Sequence, residues 1–581
     1  MGYLKPYWKN YRLRFILAVL FLSLEALADL MQPALMSRIV DQGVAHSKFF
    51  FIEKFGLIMF LITLGGAFCA CMRNVLSVNV SQNFARDLRQ DLYIKIQRFS
   101  LKNIDRFGNA TLITRLTNDV TRVQTFANGL MRMMLKAPLV GIGSLIMAVN
   151  LNPKLSLILL GVTPVIALMI YLNMKISYPY FRKVQGALDH VNRSVQEYLS
   201  GVRVVKVFNR FSYEEERFQQ NNQHLGNLSA MAAKVGSVFS PLINLAVNAG
   251  IIAIIWFGGI GVESGSMQVG SIIAFTNYMM QILFAIMMVN NAFNMFVRAK
   301  ASAERIGEIM NTEEDMAFPE QENRPIAKKK GALLFQHVCF SYDSIAGQRD
   351  PFLKNIDFSV LPGEMLGITG PIASGKTTLV NLILRFYDPD QGRLILDGTD
   401  VRLFSEEELR GKIALVPQRP LLFSGTVREN IRWGNEQASE EEIYEAARAA
   451  EADEFIRQTP DGYDSMIGQG GVNFSGGQKQ RISIARALIR KPEILILDDA
   501  TSAVDARTDK RIRRNISIAT RRLTCIVISQ RITSIADADK IIVMNGGKID
   551  AIGTHQELIR ESDYYREILQ SQLGKEVESN G

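Results

Sequence analysis

The sequence predicts an α-helical membrane domain followed, on the same chain, by an α/β domain built around a phosphate-binding loop. Three observations carry this prediction. Six long apolar runs crowd into the first 310 residues, composition turns to that of a soluble α/β protein after residue 330, and a glycine-rich loop lies between a strand-like and a helix-like run at 366–379. At 581 residues the chain is too long for one compact domain.

The apolar runs lie near 15–40, 55–80, 130–151, 155–176, 235–262 and 272–296, each long enough for the roughly 20 residues a bilayer crossing needs. Buried helices of a soluble core are the alternative, and six such runs in 300 residues argue against it. They also exclude a soluble phosphate-loop ATPase. The start, 1–10, is polar and basic, and the first run has no small-residue cleavage site, so it is expected to stay as a membrane helix rather than leave as a signal peptide.

Net charge is +9 and mean hydropathy is only slightly positive. Lys and Arg gather between the runs: Lys5, Lys9, Arg12 and Arg14 before the first, Arg86 to Arg122 between the second and third, Lys175 to Arg217 between the fourth and fifth. The intervening loops 41–50, 150–154 and 261–270 are short and poor in charge. Basic loops stay in the cytoplasm, so both termini and the α/β domain are placed there, in the plasma membrane of the cell, with no nucleic-acid partner. Four cysteines give no disulfide framework, and all four are read as reduced thiols.

The long basic stretches still read as helical. Residues 81–99 alternate charge and apolar groups at helical spacing without Pro or Gly, and about 25 such residues extend a helix about 38 Å past the membrane. Breaks at 105–118 and 208–216 are read either as short contact helices at the tips or as solvated turns.

Within the spans, Glu25 and Asp29 lie four apart on one helix face. Intramembrane carboxylates are expensive and often functional. Two readings stand side by side: a water-filled cavity that attracts cationic substrates, or a structural pairing with basic groups. Asn244 and Asn248 share a face of the fifth run, and Asn290 and Asn294 one of the sixth, which also carries Met279, Met280, Met287, Met288, Met295, Phe284, Phe293 and Phe296. Flexible thioethers and rings suit a cavity for varied apolar ligands, and equally suit lipid contact and helix packing.

In the second half, Leu366-Gly367-Ile368-Thr369 reads as a buried strand. It runs into Gly370-Pro371-Ile372-Ala373-Ser374-Gly375-Lys376-Thr377-Thr378 and then an apolar helix. Strand, loop and helix in this order make a phosphate loop: glycines let backbone N–H groups surround the phosphates, and the helix N-terminus adds positive potential. Lys376 is expected on the outer phosphates of ATP and Thr377 on Mg²⁺. Ile494-Leu495-Ile496-Leu497-Asp498 reads as a second buried strand ending in the Mg²⁺-holding acid, Asp498.

Downstream stands Asn473-Phe474-Ser475-Gly476-Gly477-Gln478, followed by Gln480-Arg481 and Ala485-Arg486-Ala487. This resembles the signature motif of ABC transporters, and the resemblance covers essentially the whole chain. It implies further roles. Tyr342 resembles the residue that stacks on adenine, Gln418 in Val416-Pro417-Gln418 the Q-loop glutamine that reaches Mg²⁺, and Asp505 in Ser502-Ala503-Val504-Asp505 belongs to the D-loop. Membrane domain before cassette is the order of half-size exporters of the multidrug type (type IV fold), with a transmembrane domain at 1–310, a linker at 311–330, a nucleotide-binding domain at 331–574 and a tail at 575–581. In that family two cassettes sandwich ATP, so Phe474, Ser475, Gly476, Gly477 and Gln478 serve the nucleotide bound by a partner chain.

Two positions depart from the family pattern. Asp499 stands where the family has the Glu that acts as general base, and Gln530 where it has the switch-loop His. An aspartate is one methylene shorter, and glutamine carries neither proton nor positive charge. The segment 468–471, Gly-Gln-Gly-Gly, also departs from the usual acidic pattern. The resemblance with these departures implies the degenerate-site subunit of a bacterial heterodimeric multidrug exporter: an ATP hydrolase coupled to transport whose own site is impaired, paired with a second, non-identical half-transporter and moving amphipathic small molecules. A lipid exporter or flippase, and a mainly regulatory nucleotide-sensing subunit, are the alternatives.

Overall fold

In a computed structural model, residues 2–313, 315–316, 318–319, 330–342, 351–519 and 523–579 are described. Most of the expected linker and the end of the expected tail lie outside them. The chain divides into two compact units, Met1–Gln97 with Gly108–Thr312, and Arg98–Phe107 with Glu313–Gly581.

The first unit is helical. Its principal elements are α1 (Arg12–Arg38) and α2 (Phe49–Gln97); then, beyond α3 (Leu101–Phe107), which belongs to the second unit, come α4 (Asn109–Leu151), α5 (Pro153–Ser200), α6 (Val202–Val207), α7 (Phe211–Glu263) and α8 (Val269–Met310). Helices α2, α4, α5, α7 and α8 are long and apolar enough to cross a membrane. The first of the six expected runs forms α1, which is not among those five and carries Glu25 and Asp29. At 49 residues α2 spans about 74 Å, more than twice the roughly 30 Å of a hydrocarbon core, so it extends well past any span it makes.

Short helices form close to both expected breaks, on their N-terminal side. The sequence places breaks at 105–118 and 208–216, whereas the short helices are α3 and α6. Asn209 takes a positive φ (49°) just past the second short helix, as a helix-ending residue does, and Gly108 (φ 74°, ψ 140°) stands between the first short helix and the helix that it N-caps. The rest of the expected first break continues as α4, in which Arg115–Asp119 and Leu130–Met134 widen into π-helical turns.

Two glycines leave room for side chains of a neighbouring helix. A Cβ at Gly250 of α7 would lie 2.5 Å from Met279 Cε of α8, and one at Gly258 would lie 2.8 Å from Ile272 Cγ1. Small residues at such crossings let two backbones approach where no hydrophobic effect drives them together. Around them Leu159, Ile166, Val247, Ile254, Phe275 and Met279 form a core shared by α5, α7 and α8. Polar ties cross it: Tyr278 donates to the Leu30 carbonyl (3.0 Å), and Asp41 accepts from the Gly270 N–H (2.6 Å) at the start of α8.

Among the described residues the second unit holds two larger sheets and a two-stranded ribbon that pairs Gly425 and Thr426 with Ile467 and Met466. An antiparallel sheet is formed by β1 (Leu333–Phe340), β2 (Leu353–Val360), β4 (Gln391–Leu396) and β5 (Thr399–Asp400), in the order β2-β1-β4-β5. The larger sheet is built of β3 (Met365–Thr369), β6 (Ile413–Val416), β7 (Ile494–Asp498), β8 (Thr524–Ile528), β9 (Lys540–Asn545) and β10 (Lys548–Gly553). Its order is β10-β9-β3-β8-β7-β6, parallel except at the β9–β10 edge. Its central strands are almost wholly apolar and buried, as parallel strands covered on both faces must be. Helices α9 (Lys376–Ile383), α10 (Gly476–Leu488), α11 (Ala506–Ala519) and α12 (Asp563–Ser579) join this unit. The parallel order puts the C-terminal ends of β3, β7 and β8 side by side, where an open α/β sheet binds its ligand.

Candidate functional site: a nucleotide cradle and an intramembrane charge cluster

The phosphate loop leaves β3 at Gly370, whose φ of 147° and close approach to the Met544 carbonyl (2.2 Å from a built Cβ) admit only glycine. Gly375 (φ 107°) then caps α9. Between them the loop wraps the Lys376 ammonium, which donates to the carbonyls of Gly370 (2.9 Å) and Pro371 (2.7 Å). Burial pushes the Lys376 ammonium below its usual range, and the Asp498 and Asp499 charges oppose that shift. Thr377 is exposed on the first turn of α9.

Asp498 ends β7 and is 9% exposed. Burial, and then the neighbouring Asp499 charge, hold its carboxyl above the usual carboxylate range, with Lys376 pulling the other way. A buried acid with only a partial counter-charge has the hard-oxygen chemistry that suits Mg²⁺. Asp499 follows with a left-handed backbone (φ 49°), its N–H fixed on the Ile528 carbonyl (2.9 Å). Its carboxylate accepts a long bond from Gln418 Nε2 at 3.4 Å. Gln530, just past β8, is exposed. The sheet thus brings Lys376, Gln418, Asp498 and Asp499 together.

Tyr342 is 41% exposed, with its ring edge-on to Phe340, Phe352 and Tyr387 and its hydroxyl 3.1 Å from Thr378 Oγ1. Tyr387 was not singled out by sequence. Its hydroxyl donates to Asp105 of α3 at 2.7 Å, and burial and that bond hold the phenol well above its usual range. An aromatic ring soon after α9, in Arg385-Phe386-Tyr387-Asp388-Pro389, was the available signal.

The signature segment caps α10. Ser475 Oγ accepts from the Gln478 N–H while Gln478 Oε1 accepts from the Ser475 N–H, a reciprocal capping box. Phe474 is buried, whereas Ser475 and Gly476 are exposed. Gln480 ties this helix to the D-loop, donating to Ser502 Oγ (3.1 Å) and accepting from the Ala503 N–H (3.0 Å). Asp505 caps the following turn on the Thr508 N–H (2.9 Å), which holds its carboxyl below the usual range.

In the membrane unit both acids of α1 are paired. Arg73 of α2 meets Glu25 at 2.8 Å, and Lys136 of α4 bridges Glu25 (2.6 Å) and Asp29 (2.9 Å). Arg73 also donates to the Arg132 carbonyl at 3.3 Å. No motif marks either cation, and a lone Arg inside the apolar run 55–80 is the sequence signal for Arg73. Asn244, Asn248 and Asn294 are exposed on this chain, and Asn290 is half-buried with no partner for its Oδ1 among the described residues. Met279 is fully buried in helix packing.

A bilayer-length helical domain joined to a phosphate-loop sheet with its own signature helix defines a membrane protein that binds ATP and couples its hydrolysis to transport. Residues 15–287 match the family model for the ABC transporter transmembrane region, and residues 353–502 match the one described as ABC transporter. The chain is 40% identical over 577 residues to an uncharacterized ABC transporter ATP-binding protein, YfiB, of Bacillus subtilis (strain 168), covering 99% of this chain and 98% of that one. It is 34% identical over 538 residues to an ATP-dependent lipid A-core flippase of Desulfotalea psychrophila, covering 92% of each. A bacterial Atm1-family ABC exporter solved with ATP bound shares the fold at a TM-score of 0.80 and 24% identity, over 97% of this chain and 98% of that one. The chain belongs to the ABC transporter family, with the architecture of a half-size exporter.

Proposed function

We propose that this chain is one half of a heterodimeric exporter of amphipathic small molecules, holding an ATP site that hydrolyses slowly and lending its signature segment to the partner's site. The observation that carries this reading is the pair Asp499 and Gln530, a shortened acid and an uncharged amide on the γ-phosphate side of an otherwise complete cradle. Thr377, Gln418 and Asp498 would hold Mg²⁺, which supplies charge neutralisation at the phosphates. Domain bounds at 1–310, 311–330, 331–574 and 575–581, six spans, and cytoplasmic termini in the cell membrane belong to the same proposal. Purified alone, the chain should release phosphate slowly; with its partner it should turn over, and changing the partner's catalytic Glu should stop it. Brisk ATPase from the lone chain, unaltered by Asp499→Ala, sinks the reading.

A lipid cargo is the second reading. It is supported by the flippase relative and by the pairing of Glu25 and Asp29 with Arg73 and Lys136, which leaves these acids no unbalanced charge to draw a cation. Reconstitution in liposomes separates the two. ATP-driven loss of a labelled lipid from one leaflet, without dye efflux, selects the lipid reading.

A further inference from the structure

The switch loop that carries Gln530 is held by a residue no nucleotide motif includes. Gln572, on α12, donates from Nε2 to the Gln530 carbonyl at 2.6 Å and accepts at Oε1 from the Ile532 N–H at 2.9 Å. The two bonds have opposite polarity, so the amide fits in one orientation only, and it pairs with the loop backbone as a neighbouring strand would. Both ends of the clamp are firm. Ile532 is 1% exposed. On α12, Tyr565 is fully buried, with its hydroxyl 2.8 Å from His555 Nδ1. Gln572 lies seven residues on, two helical turns along the same face.

The rest of the loop is pinned around this clamp. The Ser529 N–H donates to the Ile368 carbonyl of β3 (3.1 Å), the Arg531 N–H to Ser529 Oγ (3.0 Å), and Arg513 of α11 to the Ser534 carbonyl (3.0 Å). Hydrogen bonds thus hold the backbone on both sides of Gln530.

We infer that Gln572 is a positioning residue for the switch loop, so that α12 sets where the Gln530 amide stands against the terminal phosphate of bound ATP. The inference uses only the placing of Gln530 at the γ-phosphate from the reading above, and not the slow hydrolysis. Without the clamp, ATP and ADP affinities converge, because ADP has no phosphate at that position.

The test measures equilibrium binding of a non-hydrolysable ATP analogue and of ADP to the full-length chain in lipid nanodiscs. Variants are Gln530→Ala, Gln572→Met, which keeps bulk and loses both bonds, Gln572→Glu, and the double Gln530→Ala/Gln572→Met. One hydrogen bond to a charged phosphate corresponds to about tenfold or more in affinity. Gln572→Met and Gln572→Glu should each lower the preference for the ATP analogue over ADP about tenfold, and the double variant should lose no more than Gln530→Ala alone. An unchanged preference in both Gln572 variants, beside a lowered one in Gln530→Ala, overturns the inference and leaves the γ-phosphate placement standing. An equal loss of both nucleotides with a lower Tm also overturns it, since that is a purely structural role. An unchanged preference in Gln530→Ala overturns the placement of Gln530 and the inference with it.

Discussion

Removing the Glu25 charge is expected to destabilise the membrane unit more than any other single change in its charge cluster. Glu25→Gln takes the anion from Arg73 Nε at 2.8 Å and from Lys136 Nζ at 2.6 Å. The two cations are not left equal. Lys136 keeps Asp29 at 2.9 Å, whereas Arg73, with its side chain 8% exposed, is left among the described residues with one long bond to the Arg132 carbonyl (3.3 Å) and the more distant Asp29 charge. A buried charge orphaned in this way costs about 3–5 kcal/mol. For a unit of this size that is a fall in Tm of roughly 5–15 °C. Asp29→Asn should cost far less, about 1 kcal/mol or below, because Asp29 is 38% exposed and Lys136 retains Glu25. Pairing Glu25→Gln with Arg73→Met removes the orphan as well as the anion, and should recover most of the loss. Thermal melts of the detergent-solubilised chain, read as the fraction surviving size-exclusion chromatography, check the order. A Glu25→Gln chain that melts like wild type, or a double variant no better than Glu25→Gln, refutes the view that these acids serve Arg73 and Lys136.

Three other changes have defined outcomes. Restoring the family pattern with Asp499→Glu and Gln530→His together should raise phosphate release by the lone chain about 10²-fold or more, the scale of a well-placed general base; no gain with ATP affinity intact argues against an impaired site. Tyr387→Phe keeps the ring against Tyr342 and loses only the bond to Asp105, so basal ATPase should hold within about twofold while one charge-assisted bond, about 1.5–3 kcal/mol, no longer ties α3 to the cassette; undiminished stimulation by transported compound counts against a coupling role. Asp498→Asn should raise the Tm of the nucleotide-free chain at pH 7.5 while abolishing protection by Mg-ATP. The sign follows from its carboxyl being held above the usual range: ionisation costs the folded state above that raised pKa, and the cost fades as pH falls through it toward the unfolded value. The advantage of Asn should therefore shrink toward pH 4, and a variant less stable than wild type at pH 7.5 contradicts the assignment of burial as the dominant cause.

The nucleotide cradle was legible in the sequence because its chemistry fixes both residue type and spacing within a few positions. Gly370 and Gly375 occupy backbone angles that other residues strain to reach, and Asp498 is set by the strand that ends there. What sequence did not reveal are pairings closed by the fold. Tyr387 finds Asp105 across 282 positions, Lys136 finds Glu25 across 111, and Gln572 finds the switch loop across about 40. No local period marks such pairs. The acids of α1 show the limit clearly: their cost in a membrane was evident, but the choice between a cavity charge and an ion pair depended on cations on other helices. The short helices failed differently. Gly108 and Asn209 fall inside the breaks that the sequence marks, yet their positive φ places them just past the ends of the short helices.

The departures at Asp499 and Gln530 weigh more in the two-chain proposal than the intact signature segment does. A Cβ at Gly477 would lie 2.8 Å from the Ala503 carbonyl, so packing against the D-loop demands glycine there whatever nucleotide it faces. Ser475 is likewise occupied in capping its own helix. Both would persist in a chain that had lost its partner. At Gln530 the side chain is exposed, and among the described residues no side-chain contact asks for glutamine in place of histidine. Fold stability is therefore silent at that position, and function alone decides it. Gln530→His should leave the Tm within about a degree, since exposed substitutions usually move stability by less than about 0.5 kcal/mol. If that single exchange instead destabilises the chain by several degrees, glutamine is there for packing, and the reading of an ATP site tuned for slow hydrolysis loses its main support.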